Sequence, residues 1–150
     1  LGVGLVRNAA ARWRLYAGHC ERGAGFPVMV SLRASVAAEA TLGAGTVVFD
    51  HAAVNAGAVV GEACIVNTGA VVEHDCRLGD NVHVAPNATV CGDVAVGEHC
   101  LVGAGAVVVQ GVRIAAGTVV AAGAVVTRDI VEPGTYLGAP ARRGGEGMRP

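Results

Sequence analysis

From Val36 to Val131 the chain repeats every six residues. Val36, Leu42, Val48 and their successors through Ile114, Val120 and Val126 form sixteen hexads, and the first position is always Val, Leu or Ile. Four residues after each lies a small or branched side chain, as at Ala40, Thr46, Ala58, Cys64, Ala70, Val94 and Ile130. A period of six fits neither a helix nor a hairpin sheet. It fits a solenoid whose coil has flat sides, each made of one short strand and one corner. The corner is visible at the fourth hexad position, where twelve of sixteen residues are Gly, Asn or Asp, among them Gly45, Gly57, Asp75, Asn81 and Asp129. These residues tolerate positive φ at low cost, so the chain bends once per hexad. Three hexads close a triangular coil, so the pattern predicts an all-β solenoid, a parallel β-helix of about five coils. At about 4.8 Å per rung such a prism stands roughly 25 Å tall.

The flanks break the pattern and divide the chain into residues 1–35, 36–131 and 132–150. Asn8 is placed to cap a helix running to about Cys20, with Ala9, Trp13, Tyr16 and Ala17 on one face. A turn at 22–25 and a strand over 26–30 follow. One such β-α-β fragment is too small to form a core alone. It reads either as the tail of a larger Rossmann-like domain or as a cap on the open end of the solenoid. The lack of an initiator Met favours a chain already cut. Beyond Val131 the repeat stops at Glu132-Pro133-Gly134, and residues 134–143 are expected to leave the prism as a loop, followed by a disordered end.

Composition narrows the function. With 53% hydrophobic but only 3% aromatic residues, the interior must be built from small branched side chains. A net charge of −1 gives no electrostatic case for nucleic acid or an anionic membrane. No apolar run reaches membrane-spanning length and no signal peptide is evident. Five cysteines without a CxxC pair, three of them at the small inward position, suit a reducing cytoplasmic setting.

Two histidines stand apart. His74 and Asp75 occupy one corner, and eighteen-residue stacking puts Ala56 below and Gly92 above His74. An imidazole with room around it and a carboxylate beside it can serve as a general base, and it can equally be a solvated corner residue. His83 falls in an outward column, Val47, Ile65, His83, Leu101 and Val119, too apolar for water and suggestive of a partner subunit. It reads as a polar group with a task on that surface or as a rim residue of an oligomer. His74 and His83 are half a coil apart, so a shared site needs a second subunit or a long ligand. His19, His51 and His99 are expected at the surface. Zinc-dependent β-helix carbonic anhydrases share the period but need three converging histidines, and the spacing here offers no close His pair. A non-catalytic trimeric β-helix module remains an alternative.

Residues 66–86, VNTGAVVEHDCRLGDNVHVAP, together with the closing GTYLGAPAR, sharpen this. They resemble the left-handed β-helix sugar acetyltransferases, the family of sialic-acid O-acetyltransferases and UDP-4-amino-sugar N-acetyltransferases. The left hand comes from this resemblance alone, since parallel crossovers are generally right-handed. The resemblance implies acetyl-CoA as co-substrate, no metal, a nucleotide-sugar or sialic-acid-type acceptor, and a homotrimer with sites between subunits. It further implies His74 as general base, Asp75 as its polarising partner, His83 as an acetyl-CoA contact and Asn67 as a substrate contact. Ala104 and Ala122, one coil apart, would line the pantetheine arm, and the Gly92 amide would donate to the thioester oxygen. Residues 1–35 would then be the end of a sugar-nucleotide-binding domain whose Gly-rich first turn is missing.

Overall fold

The computed structural model describes residues 9–144. Each hexad forms a two-residue strand, and strands eighteen residues apart pair in parallel. Val47 pairs with Ile65, Ile65 with His83, His83 with Leu101 and Leu101 with Val119. Three such ladders, of eight, six and five strands, make the faces of a prism. Face A carries the His83 column, face B the column through Thr89 and face C the column through Ala95. From Gly45 to Gly123 the fourth hexad position has positive φ in every hexad, including the non-glycine residues His51, Ala63, Asp75, Asn81 and His99. The bend is therefore imposed by the coil. Glycine, Asn and Asp are only the residues that meet it most cheaply.

Val at the first position of the hexad and a small residue at the fifth fill the interior. Val66, Val72, Val84, Val90, Val102 and Val108 are wholly inaccessible, as are Ala58, Cys64, Ala70, Cys76 and Ala106. Burial pushes the Cys64 and Cys100 thiols up to about 11, which makes them inert packing groups.

Both ends extend beyond the expected repeat. Met29–Val30 already pairs with Val47–Val48 on face A, so the ladder begins one hexad before Val36. Residues 134–143 do not leave the prism as a loop, and the end expected to be disordered lies, beyond residue 144, outside the described residues. Thr135–Leu137 adds a parallel rung to face A, and Arg142–Arg143 closes it as an antiparallel strand. The final coil is two residues short: Val119 pairs with Thr135, and Ile114 bridges Ile130. Counting hexads past Val126 therefore runs out of step. Ile130 takes a place in the main inward column, and Asp129 accepts a hydrogen bond from the Arg113 amide at 2.9 Å instead of making a positive-φ corner.

Helix α1 (Ala9–Cys20) forms where the pattern predicts it, and its expected cap, Asn8, lies outside the described residues. It packs along the corner column Gly45, Ala63, Asn81 and His99. Arg12 is buried and donates to the Ala63 carbonyl and to Asn81 Oδ1. Tyr16 donates to Glu62 Oε2 at 3.0 Å, and the Trp13 ring lies 5.4 Å from that of His99. His99 is thus not a surface residue as expected. It is half-buried under α1, with its Nδ1 3.1 Å from Asn81 Nδ2.

Candidate active site

At the corner between faces B and C, the His74 Nδ1 lies 2.9 Å from Asp75 Oδ2. That contact fixes the tautomer: Nδ1 carries the proton toward the carboxylate and Nε2 is left as the free base. The hydrogen bond to Asp75 is the main cause of a raised imidazole pKa, helped by the charges of Asp75, Glu73 and Asp93. A Cβ at position 92 would come within 2.6 Å of both Cε1 and Nε2, so only glycine leaves the ring its place. Gly57 does the same for Asp75, whose Oδ1 would stand 2.5 Å from an added Cβ. One coil below, Asn55 donates to Glu73 Oε2 at 2.9 Å.

At the corner between faces A and B lies an apolar slot of about 410 Å³. Asn67, His83, Leu101, Gly103, Ala104 and Ala122 are among the residues lining it. Asn67 Oδ1 accepts from the Thr68 amide at 2.8 Å, which turns its NH₂ toward His83 Nε2 at 3.1 Å. Nε2 is then the acceptor, and the proton of this second imidazole sits on Nδ1. That N–H is buried and has no partner among the described residues. Burial above all, with the Arg12 charge second, pushes the His83 pKa down to about 4. His83 is therefore a neutral donor at any ordinary pH.

The structure brings four of the expected residues together at the slot: Asn67, His83, Ala104 and Ala122. It keeps His74, Asp75 and Gly92 at a different edge of the same prism. Asn67 sits with His83 and not beside His74. The Gly92 amide makes no hydrogen bond within the chain among the described residues. Sequence reasoning missed Gly57, Glu73 and Asn55 around the His74 corner, although the eighteen-residue stack aligns 55 with 73 and 57 with 75. It also missed Arg12, for which no periodic signal exists. No three His, Cys, Asp or Glu side chains among the described residues are grouped as a metal site.

Known proteins share this repeat and fold. The family model described as bacterial transferase hexapeptide (six repeats) matches residues 57–92, and that for the hexapeptide repeat of succinyl-transferase matches residues 93–128. No curated protein matches in sequence. Among solved structures, PerB from Caulobacter crescentus, in complex with CoA and GDP-perosamine, is 40% identical with a TM-score of 0.85, over 91% of this chain and 67% of that one. The chain belongs to the hexapeptide-repeat sugar acetyltransferases. The acetyltransferase domain of PglB from Neisseria gonorrhoeae FA1090 is 36% identical, with a TM-score of 0.89 over 91% of this chain. WeeI from Acinetobacter baumannii AYE is 28% identical with a TM-score of 0.86. The chain spans 66% of the length of the PglB domain and of WeeI. Membership in this family gives the prism its hand: it is a left-handed β-helix.

Proposed function

We propose that the protein transfers an acetyl group from acetyl-CoA to an amino or hydroxyl group of a nucleotide-linked sugar, with His74 as general base. The observation that carries this reading is the His74 imidazole, oriented by Asp75 and given its space by Gly92. Nε2 takes the proton as the acceptor nitrogen or oxygen attacks the thioester carbonyl. The new bond to carbon forms, the bond to sulfur breaks, and the CoA thiolate leaves. The free Gly92 amide suits a developing oxyanion. The apolar slot suits a pantetheine arm: His83 lines it as a neutral ring, and Ala104 and Ala122 offer backbone one coil apart. Asn67, bonded to His83, would meet the substrate where the two ligands join.

Since His74 and the slot lie on different edges, the reading includes a homotrimer in which the slot of one subunit faces His74 of the next. The partly exposed apolar column of face A fits such a contact. It also includes residues 1–35 as the end of a sugar-nucleotide-binding domain, and a cytoplasmic setting where both substrates are made. No helix among the described residues is long and apolar enough to cross a membrane.

The test is acetyl transfer to a panel of UDP- and GDP-linked amino sugars and sialic acid, followed by mass spectrometry, with His74→Ala alongside. The variant should lose about 10²-fold or more in rate while still binding acetyl-CoA. Equal rates in the two proteins would remove His74 from the chemistry. A folded protein that binds no acetyl-CoA would leave a structural module as the better description.

A further inference from the structure

The slot between faces A and B is floored by one column of the repeat. Read downward, Ala121, Gly103 and Ala85 stack at eighteen-residue intervals, and all three line it. Their small side chains leave an open channel over three rungs. The same column continues with Asn67 and then Phe49. The Asn67 amide donates to the Val84 carbonyl and the Phe49 amide to the Val66 carbonyl, both at 2.9 Å.

At Asn67 the channel closes. Its Oδ1 is held by the Thr68 amide at 2.8 Å, and its Nδ2 lies 3.1 Å from His83 Nε2. The side chain therefore reaches from the floor to the adjacent column and bars the way down. His83 is only 5% exposed, so moving Asn67 aside would strip a donor from a buried ring. One rung lower, Phe49 carries a bulky ring where the upper rungs carry Ala or Gly. Phe49 is 43% exposed, and neither it nor Ile65 lines the slot.

Lengths fix how much of a thioester the channel holds. From the Ala121 rung to the Asn67 rung there are three steps, about 14 Å at roughly 4.8 Å each. In a CoA thioester about thirteen bonds separate the sulfur from the first phosphorus, about 16 Å when extended. The arm alone fills the channel. With the thioester at the His83 end, whatever extends beyond its carbonyl meets the bar almost at once. About four further methylenes span one more rung.

We propose that Asn67, bonded to His83 and backed by Phe49, is a length stop that restricts the donor to short acyl groups. This rests on the reading of the slot as an acetyl-CoA site with its acyl group at His83. Selection works by exclusion. A longer chain must break the Asn67–His83 bond or push the carrier out of step with the rungs. Asn67 is the first barrier and Phe49 the second, one rung apart.

Calorimetric titration with acetyl-, hexanoyl- and decanoyl-CoA, without acceptor, tests this on wild type, Asn67→Ala, Phe49→Ala and the double variant. The readout is the affinity of each longer donor relative to acetyl-CoA in the same protein. Wild type should bind both longer donors about tenfold or more weakly than acetyl-CoA, the cost of one hydrogen bond lost at a buried group. Asn67→Ala should remove the penalty on hexanoyl-CoA and keep that on decanoyl-CoA. The double variant should remove both. Phe49→Ala alone should keep the wild-type ratios, because Asn67 still stands in front of it. If Asn67→Ala does not fold, Asn67→Ser takes its place, since a serine hydroxyl can accept from the Thr68 amide but is too short to reach His83. Equal binding of acetyl- and hexanoyl-CoA by wild type would overturn the proposal. So would ratios unchanged by loss of the Asn67 side chain, or decanoyl-CoA admitted by Phe49→Ala alone. Failure of wild type to bind any of the three donors would bring down the acetyl-CoA reading, and the stop with it.

Discussion

The His74 corner works by what is small around it. Gly92 and Gly57 leave volume for an imidazole and a carboxylate that no side chain could share. Gly92→Ala should therefore force the ring away and cut turnover by about 10²-fold, while the thermal midpoint stays close to that of wild type. The pH dependence has a defined sign. Asp75 raises the His74 pKa, so wild-type activity is lost as pH falls through a value above that of a free imidazole. In Asp75→Asn the ring deprotonates at lower pH. The acidic limb of the rate profile should shift downward while the plateau rate falls, because the base is weaker and less well oriented. An unshifted limb would mean that another group controls the profile.

At the level of elements, α1 and the prism meet through Arg12. Its guanidinium satisfies the Ala63 carbonyl and Asn81 from a buried position, and its charge reaches His83. Arg12→Met keeps most of the apolar stem and removes both bonds, taking the guanidinium donor from the buried Ala63 carbonyl. Urea denaturation should show a loss of about 1–3 kcal/mol. The helix itself was legible, since Trp13 and Tyr16 are spaced for one face. Its seat was not. Nothing in a six-residue period says which corner column a flanking helix will lie along, and a buried arginine contradicts its usual preference for the surface. The closing strand escaped for a different reason: a coil two residues short keeps its pairing but breaks the count.

For the molecule as a whole, the solenoid ties local events to global stability, because each coil rests only on its neighbours. His83 lies in a middle coil and is held neutral by burial, with a folded-state pKa of about 4. The unfolded chain takes up this proton below about 6.5 and the folded chain does not. Stability should therefore fall as pH drops from about 6.5 to about 4, by on the order of 3 kcal/mol for this one residue. In His83→Gln the urea midpoint should decline less over the same range. An identical decline in both proteins would show that other groups govern acid unfolding.

The sequence by itself determined the period, and with it the β-helix, its three faces, the inward Val columns and the bend at each fourth position. It could do so because a repeat states the same instruction many times, and stacking at eighteen residues turns spacing directly into contact. The stacking of Gly92 over the His74–Asp75 corner was legible for that reason. The tertiary structure alone decided matters between elements. It set Asn67 against His83, buried Arg12 beneath α1, folded His99 under Trp13 and closed the prism with the Arg142–Arg143 strand. Those contacts join parts of the chain that have no common period. They depend on which surfaces are left to cover once the prism has closed.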